Sequence, residues 1–199
     1  MTSEIHNICK KYGILQYTIN DDMSISVNGT VNLSGRKLTQ IPIKFKEVGG
    51  YFSCYGNQLT SLEGCPETVG GDFSCSNNQL TSLEGCPETV SGYFYCGYNQ
   101  LTSLEYYPGT VGGDFYCGHN QITNFDGLPE FFERPISLYG NPVNEIYCLF
   151  KEDPKCIYWV REFGAIQGGE VVLDRLEEVY HTLGMDIPKD IELKEYILV

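Results

Sequence analysis

The chain has 199 residues, 26 acidic against 13 basic side chains and a formal net charge of −13. Between Lys46 and Arg134 there is no Lys or Arg, while eleven Asp and Glu fall in that interval. Binding a nucleic-acid backbone needs cations that displace counterions, so this balance disfavours direct nucleic-acid binding.

No apolar run reaches membrane-spanning length, and the first eleven residues lack the apolar core of a signal peptide. Residues 1–30 read as an N-terminal cap. Ile5, Ile8, Cys9 and Tyr12 have helical spacing, with Ser3 as N-cap and Gly13 as the stop. Residues 16–20 and 24–27 read as strands around an Asp21-Asp22 turn, and Asn28-Gly29 is a second turn signal.

From Val31 the chain repeats every 21 residues. The first inward slot holds Val31, Phe52, Phe73, Phe94, Phe115 and Ile136. The second holds Leu33, Cys54, Cys75, Cys96, Cys117 and Leu138. Then come Asn57, Asn78, Asn99, Asn120 and Asn141, with Arg36 in the first copy, followed by leucine-type columns starting at Leu38 and Ile41. Six copies without insertion or deletion define a solenoid over residues 31–147. The length holds one such array with caps and is too short for an added enzyme domain. Each copy is expected to form one short parallel strand, to turn at its asparagine, and to return along an extended, helix-free path set by Pro66, Pro87, Pro108 and Pro129 and the Gly pairs.

The segment Phe-x-Cys-x-x-Asn-x-Leu resembles the LxLxxNxL strand segment of the leucine-rich repeat family. The tail Leu-Glu-Gly-Cys-Pro-Glu-Thr-Val is similar to the short bacterial and phage variety of that repeat, and the whole unit resembles repeat proteins encoded by large bacteriophages. The pattern departs at one column, where Val48, Val69, Val90 and Val111 stand four residues before the first slot instead of three. The resemblance implies an α+β right-handed solenoid, a short-stranded parallel sheet on the concave face, and binding of a protein partner. If the gene is phage-borne, it implies a host factor or an antiviral-defence protein as target.

Residues 148–199 read as a helical C-terminal cap, the first helix overlapping its start at 145–151. Pro154 starts a second helix through Trp159 and Phe163. The third carries the stripe Val172, Leu176, Val179 and Leu183, with Leu173 and Tyr180 beside it, ended by Gly184 and Pro188. Residues 191–199 fit either a strand or a short helix.

The nine cysteines are odd in number, six lie in repeat columns, and no Cys-x-x-Cys pair exists. They read as small apolar core residues in a reducing cytoplasm, with no disulfide framework and no zinc site. No cofactor is expected. His6, His119 and His181 are the only histidines, and no nucleophile–base order or phosphate-cradling loop stands out, so the chain reads as no enzyme. Asp72 and Asp114 lie two coils apart, about 10 Å by strand spacing, too wide for two carboxylates acting on one bond.

Function is expected on the outward strand positions. These carry Tyr51, Asp72, Tyr93 and Asp114 before the first slot, Tyr95 and Tyr116 between the slots, and Tyr55, Tyr98 and His119 after the second. Tyrosine offers contact area with little rotamer entropy to lose, and carboxylates at its edge suit a partner with a basic surface. Two alternatives stay open: an acidic decoy that occupies a nucleic-acid-binding surface, and a structural subunit of a homo-oligomer.

Overall fold

The computed structural model describes residues 2–129, 135–151 and 153–199. In chain order the elements are α1 (Thr2–Tyr12), β1 (Tyr17–Ile19), β2 (Ile25–Val27), β3 (Val31–Asn32), β4 (Phe45–Val48), β5 (Phe52–Ser53), β6 (Thr68–Val69), β7 (Phe73–Ser74), β8 (Thr89–Val90), β9 (Phe94–Tyr95), β10 (Thr110–Val111), β11 (Phe115–Tyr116), β12 (Ile136–Ser137), α2 (Asn144–Leu149), α3 (Lys155–Glu162), β13 (Ile166–Gln167), β14 (Glu170–Val171), α4 (Leu173–Leu183) and β15 (Ile197–Leu198).

The repeats form a β-solenoid with a 21-residue period. One parallel sheet runs β12-β11-β9-β7-β5-β3, and its pairs Val31↔Phe52, Phe52↔Phe73, Phe73↔Phe94, Phe94↔Phe115 and Phe115↔Ile136 match the first inward column residue for residue. The phenylalanines are buried and stack from coil to coil, with ring centroids 5.8 Å apart for Phe52–Phe73, 5.0 Å for Phe73–Phe94 and 5.1 Å for Phe94–Phe115. Behind them Cys54, Cys75 and Cys117 are buried and donate their thiols to the carbonyls of Ser74, Tyr95 and Ser137 in the following coil. All nine cysteines are free thiols. Burial pushes the thiols of Cys75, Cys96 and Cys117 up, which holds them in the unreactive protonated form.

The asparagine column is a clamp between neighbouring coils. Asn78 accepts the Leu59 N–H at 3.0 Å and donates to the Cys54 and Cys75 carbonyls at 3.1 and 2.9 Å. Asn99, Asn120 and Asn141 repeat the pattern, bonding Leu80, Leu101 and Ile122 N–H groups behind them. Asn57 spans to the first coil, accepting from Arg36 and Leu38 and donating to Leu33. Among the described residues no buried side-chain nitrogen or oxygen lacks a partner. This goes beyond satisfying the coil's own bend: each amide also cross-links two copies.

The return path is more regular than expected. The valine column that departs from the leucine-rich pattern forms a second sheet, ordered β1-β2-β4-β6-β8-β10 and parallel from β2 onward. Val48, Val69 and Val90 are buried in it and Val111 is half-buried. Thr-Val pairs are β-branched and bound the Gly pairs, so the chain extends there and finds the same segment one coil away. Val27 lies 21 residues before Val48 and pairs with it. The second strand of the cap therefore already belongs to the solenoid, and the boundary near residue 30 falls inside a coil.

At the N-terminus α1 is already running at Thr2, so Ser3 lies inside the helix rather than at its cap, while Gly13 ends it at φ +69°. β1 and β2 pair antiparallel across the Asp21-Asp22 turn, where Asp22 accepts from Ser24 and from Lys44. The C-terminal cap holds the three expected helices, with Gly184 left-handed at the end of α4. It also holds a hairpin absent from the sequence reading, β13–β14, turned by Gly168 and Gly169, and residues 197–198 add to it as a parallel strand. Arg161 donates to the Leu128 carbonyl at 2.7 Å and Tyr196 to that of Thr123 at 2.5 Å, which ties the cap to the last coils.

Candidate functional site

All nine residues singled out in the sequence lie on the outward face of the β12-to-β3 sheet: seven flank the inward Phe and Cys by alternation, and Tyr98 and His119 face outward because the backbone turns left-handed there. The structure gathers five of them, with Tyr139, into two aromatic groups. Tyr95 and Tyr116, one coil apart, stack at 5.0 Å with ring planes 6° from parallel. Tyr93 joins them at 6.0 and 6.3 Å. Tyr98 stacks on His119 at 4.3 Å, and Tyr139 meets His119 edge-on at 5.3 Å.

Tyr98 and His119 stand in a column that the backbone requires to be left-handed. Its members are Gly35, Gly56, Asn77, Tyr98, His119 and Gly140, all with φ between +56° and +74°. Glycine enters this region freely and asparagine at small cost. A tyrosine or histidine there is strained by roughly 1–2 kcal/mol. Gly140 has a separate role beside His119, since a Cβ on it would sit 2.7 Å from the imidazole Nδ1. Tyr106 likewise replaces a left-handed glycine, in the column of Gly64, Gly85 and Gly127, but outside these groups.

Between the Tyr95–Tyr116 stack and the Tyr98–His119 stack lies a cleft of about 390 Å³, with Tyr55 and Tyr139 among its lining. Its floor is Gly97 and Gly118, where neighbouring copies carry Tyr55, Ser76 and Tyr139. A Cβ at Gly97 would meet the Gly118 carbonyl at 2.9 Å, and one at Gly118 would meet that of Tyr139 at 2.8 Å. The cleft therefore exists because two successive copies lack a side chain at one column. Gly97, Gly118 and Tyr139 were visible in that column but were not among the expected site residues; reading the glycines as missing walls would have found them.

A second depression of about 400 Å³ adjoins the first, sharing Ser74 and Tyr95, and is lined by Tyr51, Ser53 and Asp72. Asp72 is seated by the Tyr93 N–H, which donates to its Oδ1 at 2.9 Å, and by Gly92, where a Cβ would strike the same oxygen. Asp114 instead accepts the Tyr116 hydroxyl at 3.1 Å, and that hydrogen bond is the main reason the Tyr116 phenol is held above its ordinary range. Tyr95 is raised too, first by desolvation and then by the Asp72, Tyr93 and Asp114 charges. A larger groove of about 670 Å³ follows residues 39–45 and 60–67 and contains none of these side chains.

Cys117 is buried and His119 exposed, with the strand ending at Tyr116, so these two do not converge. Among the described residues no group of three His, Cys, Asp or Glu side chains could hold a metal ion, and no helix is long and apolar enough to cross a membrane. The arrangement combines two aromatic stacks, a glycine floor between them and the carboxylates of Asp72 and Asp114. No protein-family model matches the chain, and neither a curated protein nor a solved structure matches it.

Proposed function

We propose that this protein is a non-catalytic binding module of the leucine-rich-repeat kind that holds a protein partner on the outward face of the β12-to-β3 sheet. One observation carries the reading. Tyr93, Tyr95, Tyr98, Tyr116 and His119 concentrate in the fourth and fifth copies, at columns that the interior does not constrain. Two of them occupy left-handed positions where glycine would relieve strain, and strain retained at an exposed aromatic cluster suits a contact surface better than a scaffold. Asp72 and Asp114 at the margin favour a partner with a basic surface.

The repeat's resemblance to bacteriophage-encoded proteins supports a host or antiviral-defence protein as that partner, and nine free thiols suit the reducing cytoplasm of a host cell. Capture of host proteins by the immobilised chain, repeated with Tyr95→Ala/Tyr116→Ala, tests the reading: the partner should disappear with the double variant. Retention of the same partners by the variant would rule this face out. An acidic decoy for a nucleic-acid-binding surface makes a different prediction, namely that capture collapses at 0.5 M salt and is competed by DNA or RNA, whereas an aromatic interface persists.

A further inference from the structure

The proposed docking face has two adjoining depressions of opposite chemistry, and together they specify more than a generic protein surface. We infer that they form a bipartite groove for an extended peptide segment carrying an arginine and, four residues away, an aromatic side chain. This rests on the reading of the face as a partner site.

The aromatic half is the Gly97–Gly118 cleft. Its walls are the sides of the Tyr95–Tyr116 and Tyr98–His119 stacks, and its floor is the backbone of Gly97 and Gly118. An aromatic side chain entering the cleft can meet the rings of both stacks in edge-to-face contact, a geometry that a branched aliphatic side chain does not offer. The acidic half is the depression at Asp72. Oδ1 accepts the Tyr93 N–H, which holds the carboxylate in place, and among the described residues no hydrogen bond reaches Oδ2. Tyr51 and Tyr95 line the same depression. A guanidinium there would pair with the carboxylate while lying over a tyrosine ring, two interactions that a planar cation makes at once.

Among the described residues no Lys or Arg forms a salt bridge with Asp72, the only such pair being Lys44 with Asp22. The spacing follows from the coil. Asp72 and Gly97 are one strand apart laterally and four residues apart along the strand direction, which is on the order of 10–15 Å, or about four residues of extended chain. In an extended segment the side chains of residues i and i+4 point to the same side, so both can enter one face.

The test uses the full chain and a defined probe: a glycine–serine nonapeptide bearing one arginine and, four residues on, one tryptophan. Binding is followed by ¹H–¹⁵N chemical shifts, which register even millimolar affinity. Saturable shifts of Gly97, Gly118 and Tyr93 are expected. Replacing the arginine by glutamate, or the tryptophan by serine, should each weaken binding roughly tenfold. Asp72→Asn keeps an oxygen for the Tyr93 N–H and so preserves the fold; it should weaken the arginine–tryptophan probe but leave a probe with tryptophan alone unchanged. Equal binding of the glutamate probe, indifference to Asp72→Asn, or no saturable shift at millimolar probe each overturns the inference. If that occurs while partner capture still depends on Tyr95 and Tyr116, the face remains the partner site and only this occupant is wrong.

Discussion

The inside and the outside of the same strands obey different rules. Inward, four successive copies use one solution: a ring on a ring, a small apolar residue behind it, and an amide bonded to both its own coil and the one before. Outward, the same columns pass from Ser53 and Ser74 to Tyr95 and Tyr116, and from Tyr55 and Ser76 to Gly97 and Gly118. The difference is instructive because the backbone is nearly identical in every copy. Uniformity inside reflects stacking, since each coil must present its neighbour with the same shape and the same hydrogen-bonding groups. Variation outside has no such constraint, and its tyrosines concentrate in the fourth and fifth copies.

The contrast can be broken from the inside first. Phe94→Ala removes a ring packed against both Phe73 and Phe115, and unfolding by denaturant should show a loss of about 3–5 kcal/mol. Asn120→Ala leaves the Leu101 N–H and the Cys96 and Cys117 carbonyls without their partner, with an expected loss of about 2–3 kcal/mol. A loss below about 0.5 kcal/mol in that variant would show that water replaces the amide and that the clamp is dispensable.

Changes outside should separate binding from stability. Tyr95→Ala and Tyr116→Ala each forfeit the stack between them and a tilted contact with Tyr93, and Tyr116→Ala also an exposed hydrogen bond to Asp114; at a surface site the unfolding free energy should fall by no more than about 1.5 kcal/mol while partner capture is lost. Tyr98→Asn restores the residue type used at the same position one coil earlier. Strain relief and lost stacking then oppose each other at about 1 kcal/mol apiece, and net stability should stay within that range while binding weakens. A large destabilisation here would make Tyr98 a scaffold residue.

The smallest effect concerns the N-terminal cap. Asp22 is held well below the usual carboxylate range, first by the Ser24 hydroxyl and then by the Lys44 ammonium. A depressed folded-state pKa stabilises above the unfolded value, near 4, and the contribution disappears as pH falls through the folded one. Stability should therefore drop more steeply below pH 4 in the wild type than in Asp22→Asn. Parallel acid-unfolding curves for the two would show that this exposed pair contributes nothing.

Much of the inward architecture was legible because a period of 21 leaves the strand register no freedom: Phe52, Phe73, Phe94 and Phe115 can align only with one another. The helices at the C-terminus were equally readable from the Val172–Leu183 stripe and Gly184. The second sheet was missed because Val48, Val69 and Val90 were judged against another repeat's spacing rather than against Val27, 21 residues earlier. The β13–β14 hairpin was missed although Gly168-Gly169 is a two-residue turn signal. Ser3 was misplaced because helix ends depend on a few local hydrogen bonds, whereas helix existence rests on a whole stripe.

At the candidate site the sequence determined the inventory: which copies carry tyrosine, which carry glycine, and which side of the strand each faces. For all but Tyr98 and His119, which face outward through the left-handed turn, that follows from alternation along an extended chain combined with the fixed period. Tertiary structure decided the rest. Residues 21 positions apart become neighbours about 5 Å apart only once the coils stack, and stacking alone sets Tyr95 flat on Tyr116, Tyr98 on His119, and two bare glycines between them as the floor of a cleft.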